Sequence, residues 1–212
     1  MPRQAIQNHA TALQVPYLLH FTRTENLSSI LAHGLYPRAR VAELGAAPVV
    51  NDQYRWDGHT DSSSLSIGFP NCQMLYRYRM ADEASEWAIL VINPAVLWVK
   101  ECAFCRHNAA DGRISSQQLT DLTTPEAFIG MFEEIEGLEA RSDQKLKPFD
   151  PTDVQGEVLV FDVIEPSLIY AVVFQTEAAR DRYADHTGER KVYIHPNSKG
   201  MFASRNYVRK FS

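Results

Sequence analysis

Residues 15–35, "VPYLLHFTRTENLSSILAHGL", predict a strand that runs directly into a helix. The first half is mostly apolar, and its polar residues His20 and Thr22 lie two positions apart, so they share one face of a strand. The second half has apolar residues at helical spacing, with Thr24 as the expected N-cap and Gly34 as the expected helix stop. The junction offers an imidazole, a hydroxyl and free backbone groups that suit a planar carboxamide. The alternative is a buried histidine bonded to a backbone carbonyl.

The chain has 212 residues, and we expect one domain over residues 1–212. Its core spans 15–174, and a C-terminal helix, strand and basic tail follow at 175–212. The apolar fraction of 45% and the charged fraction of 22% are ordinary for a soluble globular protein. A net charge of −5 excludes a general polyanion binder, so contact with nucleic acid requires a local basic patch.

Strands and helices are mixed along the rest of the chain without a regular alternation, which favours an α+β fold with mixed or antiparallel strands. No G-x-G-x-x-G or Walker motif is present, so a Rossmann dinucleotide site is not expected. We expect residues before 15 to be frayed or weakly helical and residues 37–64 to form a long loop. Apolar runs predict strands at 64–69, 87–92, 156–164, 169–175 and 191–196, and helices are expected at 125–137 and 176–188.

The three cysteines Cys72, Cys102 and Cys105 are too few, and odd in number, for a disulfide framework. Cys102 and Cys105 form a C-x-x-C pair, but no second pair completes a zinc site, although His59 and His107 are possible ligands. We therefore expect ordinary thiols and no metal. The sequence shows neither a secretory signal nor a membrane-length apolar run, and a reducing cytoplasm fits best.

Glu157 is a carboxylate at the start of an otherwise apolar strand, "VQGEVLVF". Gln155 shares its face if the strand is regular, and Gly156 opens the backbone to close approach by a ligand. The two polar side chains could bind neighbouring hydroxyls of a ribose or polarise an attacking group. The alternative is an exposed acid on an edge strand, which limits aggregation.

Two further motifs carry polar side chains suited to a nucleotide. In "YRWDGH", residues 54–59, Arg55 offers the planar guanidinium that pairs with a pyrophosphate, unless it is a solvated loop charge. In "RHNAAD", His107 and Asn108 precede two alanines. The small side chains at 109–110 either let a ligand come close or pack a helix.

The C-terminal tail is locally basic, and no acid follows Glu189. Aromatic rings are interleaved with its cations. Such a track suits single-stranded nucleic acid, because cations contact phosphates and rings stack on bases, whereas the alternative is a solvated terminus. The cations of the tail are Arg190, Lys191, Lys199, Arg205, Arg209 and Lys210.

In their order along the chain, these motifs resemble the DarT family of DNA ADP-ribosyltransferases, the toxins of DarT–DarG toxin–antitoxin systems. The likeness covers about residues 15–174. It implies an ADP-ribosyltransferase fold, NAD+ as co-substrate, a base in single-stranded DNA as acceptor and a macrodomain antitoxin as partner. The matching stretches are "HFTRTENLSSILAHGL", the arginine and histidine of "RWDGH", "SIGFPNCQMLYRY", "NAA" and "QGEVLV".

The resemblance also implies roles for individual residues. Glu157 is the expected catalytic glutamate, Arg55 holds phosphates and steadies the reacting groups, and either His107 or Asn108 lies near the reaction centre. A substrate-recognition loop is expected within about 115–155. Contacts with NAD+ are expected from His20, Phe21, Thr22, Asn26, Leu35, Arg55 and Tyr76. Contacts with DNA are expected from Gln155, Lys199, Arg205, Arg209 and Lys210.

One stretch departs from part of the family. Thymine-modifying members carry a "DYVPFYF"-like stretch where this chain reads "SLSIGFPNCQML", which is similar to the guanine-modifying branch. Guanine is therefore the expected base. The alternatives are ADP-ribose transfer to RNA or protein, and a non-catalytic nucleic-acid-binding module with a degenerate pocket.

Overall fold

A computed structural model of the chain describes residues 2–44 and 61–211. Within these residues, seven strands form one sheet in the order 4-5-2-1-3-6-7. Neighbouring strands are antiparallel except for the last two, which are parallel. The strands are β1 Leu18–Arg23, β2 Ser63–Ile67, β3 Trp87–Ile92, β4 Cys102–Cys105, β5 Glu157–Val160, β6 Ile169–Phe174 and β7 Lys191–Ile194.

Ten α-helices lie in the same described ranges, which confirms the predicted α+β fold. They are α1 Pro2–Ala12, α2 Leu27–His33, α3 Cys72–Ala81, α4 Val96–Val99, α5 Gly112–Ser115, α6 Leu119–Leu122, α7 Pro125–Gly130, α8 Glu177–Arg182, α9 Ala184–Thr187 and α10 Arg205–Phe211. Short 3-10 helices span Thr24–Asn26, Arg38–Leu44, Pro166–Leu168 and Gly200–Phe202.

The strand β3 is an interior strand of the sheet and consists of one continuous apolar run. All six of its residues are buried, and it pairs with both β1 and β6. A strand that reads apolar throughout is covered on both faces of its sheet. Both faces of this sheet therefore carry packed layers.

One face of the sheet packs the largest core cluster, to which Leu65, Leu90 and Val158 belong. The opposite face carries two separate apolar clusters. One includes Leu19 and Ile89 with α3, and the other includes Leu159 with α5 and α6. Between these two clusters lies the β2 strand, whose residues on that face are serines rather than apolar residues.

The sheet opens between β1 and β2. Within the described residues, β1 pairs with β3 along all six of its positions, but it pairs with β2 only at Leu18↔Ile67 and Leu19↔Ser66. From residue 20 onward β1 follows β3 alone. The end of β1 that carries the predicted histidine therefore borders a gap in the sheet.

The N-terminal segment forms the packed helix α1, so of the two expectations for it a helix is confirmed and a frayed end is wrong. Ile6 and Ala10 are buried, and the helix packs on α4 and α7. Tertiary packing stabilises such a short helix, which local propensity cannot do alone. The predicted N-cap was also wrong, since Thr24 starts a 3-10 turn and donates its backbone N–H to the carbonyl of Glu86 at 3.0 Å.

Two predicted helices are shorter than expected. The helix predicted at 125–137 ends at Gly130, after a start at which the Thr124 hydroxyl accepts the backbone N–H of Ala127. The helix predicted at 176–188 divides into α8 and α9 at Tyr183, whose ring stacks on Phe174. Among residues 2–44 and 61–211, no helix is long and apolar enough to cross a membrane.

Candidate active site

Glu157 is a buried carboxylate in the interior of the sheet. It begins β5, which lies between β4 and β2, and it pairs in register with Cys105 of β4. Only 6% of the residue is exposed. The alternative of an exposed acid on an edge strand is therefore wrong. Burial of a charged carboxylate is unfavourable unless hydrogen bonds or an opposite charge stabilise it, so Glu157 requires such partners.

Two donors from the end of β4 hold this carboxylate. Asn108 donates from Nδ2 to Oε1 of Glu157 at 2.9 Å, and the backbone N–H of Ala109 donates to Oε2 at 3.4 Å. The Asn108 amide is itself oriented, because its Oδ1 accepts the backbone N–H of Ala110 at 3.0 Å. The NH₂ group of Asn108 consequently faces Glu157, and the carboxylate has a fixed orientation.

His107 lies beside this pair and bonds to a second acid. Its Nδ1 is 2.8 Å from Oδ2 of Asp153, and both side chains are almost fully buried. Oδ1 of Asp153 accepts the backbone N–H of Gln155 at 2.9 Å, which fixes the acid in turn. Asn108 thus contacts Glu157 directly, while His107 contacts Asp153. We call Glu157, Asn108, Ala109, His107 and Asp153 the glutamate cluster.

Gly156 packs against the protein itself. A Cβ at this position would lie 3.2 Å from the carbonyl oxygen of Asp153 and 3.3 Å from that of Cys105. The predicted opening for a ligand at Gly156 is therefore filled by backbone, which is the physical reason for glycine here. Gln155 lies in a turn before β5, so the prediction that it shares a strand face with Glu157 was also wrong.

The neighbouring strand β2 presents hydroxyls beside Glu157. Leu65 pairs with Val158, and continuing that register by one residue places Ser66 opposite Glu157. Ser66 Oγ accepts the backbone N–H of Asn71 at 3.1 Å, at the start of α3. A polar strip therefore runs between the two apolar clusters on this face of the sheet.

On the other side of β2, two side chains of β1 and two neighbouring residues form what we call the histidine seam: His20 and Thr22 of β1, Asn26 of the following 3-10 helix and Ser64 of β2. Nδ1 of His20 lies 2.9 Å from the carbonyl oxygen of Ser64, across the gap between β1 and β2. Thr22 is 2% exposed, and its hydroxyl accepts from Nδ2 of Asn26 at 3.0 Å. The predicted strand-to-helix junction is thus held together by its own polar side chains.

The glutamate cluster and the histidine seam flank the same strand, β2, but from opposite faces. His20 pairs with Leu90, a member of the largest core cluster, so its side chain lies on that face of the sheet. Glu157 and Leu159 are two positions apart on β5 and share the other face, where Leu159 belongs to a separate cluster. The gap between β1 and β2 lies between the two groups. That gap is present because these strands share only two paired positions.

The other residues predicted to contact NAD+ belong to neither of these two groups. The ring of Phe21 packs near the rings of Tyr78 and Trp87 in an apolar cluster. Leu35 is buried, and its backbone bonds to Ile164 in both directions. Tyr76 is 60% exposed on α3. Arg55 and His59 lie outside the described residues.

The predicted DNA contacts, which are Gln155 and four cations of the tail, divide into two kinds. Lys199 is exposed, and Gln155 is half-buried. Arg205 and Arg209 bind the segment before β5 through hydrogen bonds to Pro151, Thr152 and Asp150, and Lys210 pairs with Glu139. These cations therefore have partners within the protein.

The cysteines of β4 are buried free thiols. Burial raises the pKa of the Cys102 thiol to about 12, so this sulfur stays protonated at neutral pH. In the part of the chain that is described, no group of three or more His, Cys, Asp and Glu side chains is placed to hold a metal ion.

Sequence reasoning missed Asp153 and the serines of β2. Nothing in the sequence distinguishes Asp153 from the other acids of "FDPTDVQGE", because its contact with His107 spans 46 residues. The serines did carry a signal: in "SSSLSI", Ser64 and Ser66 alternate with apolar residues, which indicates a strand with one polar face.

Comparison with known proteins agrees with the fold. A solved structure titled "Thermosipho africanus DarTG in complex with ADP-ribose" superposes with a TM-score of 0.59 at 15% identity, over 88% of this chain and 50% of that one. The chain thus spans half the length of the Thermosipho protein. "Thermus sp. 2.9 DarT in complex with NAD+" gives 0.55 at 13% identity, over 88% and 98% of the two chains.

A second Thermus sp. 2.9 structure, "DarT in complex with ADP-ribosylated ssDNA", superposes with a TM-score of 0.55 at 12% identity, over 88% of this chain and 97% of that one. None of the curated proteins compared with the chain matches it. A family model described as "ssDNA thymidine ADP-ribosyltransferase, DarT" matches residues 19–203, which include the histidine seam and the glutamate cluster. The chain therefore belongs to the DarT family of single-stranded DNA ADP-ribosyltransferases.

Proposed function

We propose that this chain transfers ADP-ribose from NAD+ to a nucleobase of single-stranded DNA, with Glu157 as its catalytic carboxylate. The buried carboxylate of Glu157, oriented by Asn108 and by the Ala109 backbone, is the observation that carries the proposal. Solved structures of Thermus sp. 2.9 DarT with NAD+ and with ADP-ribosylated ssDNA support this choice of co-substrate and acceptor.

The residues at the sheet gap fit a dinucleotide. The imidazole of His20 is anchored at the gap, and Glu157 borders the same strand from its other side. NAD+ supplies a ribose whose bond to nicotinamide breaks with build-up of positive charge on the sugar, as in glycoside cleavage. His20 and Thr22 would hold the nicotinamide end, and Arg55 would hold the phosphates.

Glu157 would act in two ways. Its negative charge would stabilise the positive charge that develops on the ribose, because a preorganised charge stabilises a transition state without rearrangement. It would also take the proton from the attacking base nitrogen as the new bond to the ribose carbon forms and nicotinamide leaves. General base catalysis of this kind contributes about 10²–10⁴-fold.

The acceptor base must be unpaired, because a base stacked in a duplex cannot reach a buried carboxylate. Gln155, in the turn before Glu157, and the exposed Lys199 are the side chains that we propose contact the DNA strand. Lys199 would bind a phosphate, and such a contact positions the DNA strand without recognising its base sequence.

An acceptor screen tests this function. The protein is incubated with labelled NAD+ and, in separate reactions, with a single-stranded oligonucleotide, the same oligonucleotide in duplex form, an RNA of equal sequence and a protein mixture. We expect label on the single strand alone. Label on RNA or protein instead would contradict the proposed acceptor, and DNA binding without nicotinamide release would indicate a non-catalytic binding module.

The base that is modified needs a separate measurement. We propose guanine, because "SLSIGFPNCQML" differs from the stretch found in thymine-modifying members of the family, although the description of the family model names thymidine. Nucleosides released from a modified oligonucleotide are analysed by mass spectrometry. An ADP-ribose adduct on deoxyguanosine is expected, and an adduct on thymidine would overturn the choice of guanine.

The biological role that we propose is that of a toxin, with a macrodomain protein as its antitoxin. Its support is family membership and the fold similarity to the Thermosipho africanus DarTG structure. Expression of the chain in a bacterial host should arrest growth. Co-expression of a DarG-type macrodomain should restore it, whereas a macrodomain with no hydrolytic activity toward the DNA adduct, and no binding to the toxin, should not.

A further inference from the structure

The segment that precedes β5 is held by three arginines. Arg141 donates from Nη1 to the carbonyl oxygen of Asp150 at 2.7 Å and to the hydroxyl of Thr152 at 2.8 Å. The other two arginines, Arg205 and Arg209, come from α10 at the end of the chain. A short stretch of backbone just before the proposed catalytic glutamate is therefore fastened by side chains from two different parts of the sequence.

The contact between Arg209 and Asp150 is a buried, two-point ion pair. Nε and Nη2 of Arg209 donate to Oδ2 and Oδ1 of Asp150 at 2.7 and 2.8 Å. The Asp150 side chain is 0% exposed and that of Arg209 is 12% exposed. Asp150 also accepts the backbone N–H of Lys147 at 2.8 Å. Paired planar groups of this kind fix geometry as well as charge.

The Arg205 side chain binds the same segment by donating hydrogen bonds to the segment's backbone carbonyl groups. The residue is 4% exposed, and it donates to the carbonyl oxygens of Pro151 and Thr152 at 2.6 and 3.0 Å. Burial lowers the pKa of the Arg205 guanidinium to about 10, so the side chain is still charged at neutral pH. Two consecutive carbonyl groups are thereby held in place.

The segment held by these arginines leads directly into the glutamate cluster. The residue after Thr152 is Asp153, which bonds to His107, and Gly156 then packs closely on backbone carbonyls of the β4 end. The guanidinium of Arg209 also lies 5.4 Å from the ring centroid of Phe69, in the turn after β2. The same arginine thus contacts both chain segments that lead to the polar strip.

We propose that Arg209 and Asp150 are positioning residues, through which α10 fixes the segment before β5 and so sets the rate of ADP-ribose transfer. The inference rests on the proposed function and goes beyond it. It differs from the sequence-based expectation that Arg209 contacts DNA. The charge of Arg209 is paired with a buried carboxylate inside the protein, through Nε and Nη2, so its loss should change turnover and leave DNA affinity intact.

The first experiment compares Arg209→Met with Arg180→Met, which removes an exposed arginine paired with Asp181 on α8. Both variants lose one positive charge. We expect Arg209→Met to lower kcat by about tenfold to hundredfold, as misplacement of reacting groups does. KM for the oligonucleotide and the salt dependence of its binding should stay within about twofold of the parent, and Arg180→Met should match the parent throughout.

A second variant covers loss of folding. Removal of one member of a buried ion pair leaves an uncompensated charge and strongly destabilises a protein. Arg209→Met combined with Asp150→Asn leaves no such charge, so this double variant should fold and show the same loss of kcat. Arg209→Lys keeps the charge without the two-point geometry, and it should fall between the parent and Arg209→Met. Hydrogen exchange at the amides of residues 152–157 should be faster in all three variants.

Two results would overturn the positioning role while leaving the proposed function in place. One is an Arg209→Met protein with the kcat of the parent and a flatter salt dependence, which would make Arg209 a DNA contact. The other is a folded double variant with full kcat. A parent protein that labels no oligonucleotide would instead overturn the proposed function itself, and with it the positioning role of Arg209 and Asp150.

Discussion

The glutamate cluster and the histidine seam differ in how completely the chain organises them. In the cluster, both carboxylate oxygens of Glu157 have donors, and the donor Asn108 is itself held by a further hydrogen bond. In the seam, His20 reaches across a gap where the sheet ladder has ended. Among the described residues, the first region is fixed by hydrogen bonds to both carboxylate oxygens, and the second lies where the pairing of β1 with β2 has ended.

This difference suggests that the glutamate cluster contributes mainly to catalysis and the histidine seam mainly to binding of NAD+. A preorganised charge contributes to catalysis because it needs no rearrangement when the transition state forms. Side chains at an opening contribute to binding, which affects ground state and transition state alike. Changes in the glutamate cluster should therefore lower kcat, and changes in the histidine seam should raise KM for NAD+.

The largest effect is expected from Glu157→Gln, which keeps the shape of the side chain and removes its charge and its ability to accept a proton. We expect kcat to fall by about 10²–10⁴-fold with little change in KM for NAD+. Label transfer from NAD+ to an oligonucleotide measures both constants. The matched control is Glu101→Gln, an exposed acid just before β4, which should keep full activity. Equal activity of the two variants would remove Glu157 from the mechanism.

A smaller loss is expected from Asn108→Ala, because the carboxylate keeps its charge and loses one oriented donor. Loss of a donor to a charged group costs about 1.5–3 kcal/mol, or roughly tenfold to a hundredfold in kcat if the full effect appears in the transition state. The exposed Asn206→Ala on α10 serves as the control. If KM for NAD+ rises and kcat stays constant, Asn108 belongs to binding, and the contrast between the two regions is weakened.

Asp153→Asn tests the outer part of the cluster, where the acid contacts His107 rather than Glu157. The amide keeps a hydrogen bond but no longer offers two charged acceptors, so we expect a loss in kcat of about tenfold. Asp143→Asn, an exposed acid in the loop before this segment, should behave like the parent in the same assay. A loss as large as that of Glu157→Gln would make His107 and Asp153 direct participants in the chemistry.

The smallest effect is expected in the histidine seam, from Thr22→Val. The change keeps the volume of the buried side chain and removes the acceptor for Asn26, at a cost of about 1 kcal/mol. KM for NAD+ should rise about fivefold while kcat changes less than twofold. Thr11→Val, at an exposed position of α1, is the control. A fall in kcat with constant KM would contradict the assignment of the histidine seam to NAD+ binding.

The sequence predicted the parts of the molecule that depend on local pattern. The strand β3, the junction of β1 with α2, and the glutamate at the start of β5 all follow from apolar runs and from polar residues at their ends. Such features are set within about one turn or one strand, so spacing alone locates them.

The remaining features depend on contacts between distant residues. Asn108 and Glu157 are 49 residues apart, His107 and Asp153 are 46 apart, and Arg209 and Asp150 are 59 apart. No periodicity encodes these pairings, because they follow from the order of strands in the sheet. For the same reason the basic tail was interpreted as a solvent-facing cationic track, whereas Arg205 and Arg209 are directed into the protein.

The proposed function requires that NAD+ bound at the gap between β1 and β2 bring its scissile ribose bond to Glu157. A crystal structure of the Glu157→Gln variant with NAD+ tests it most directly, because this variant should bind the co-substrate without turnover. We predict a hydroxyl of the nicotinamide ribose within about 3 Å of the side chain at position 157, with the carboxamide beside His20 and Thr22. NAD+ bound on another face of the sheet, out of reach of position 157, would contradict the claim.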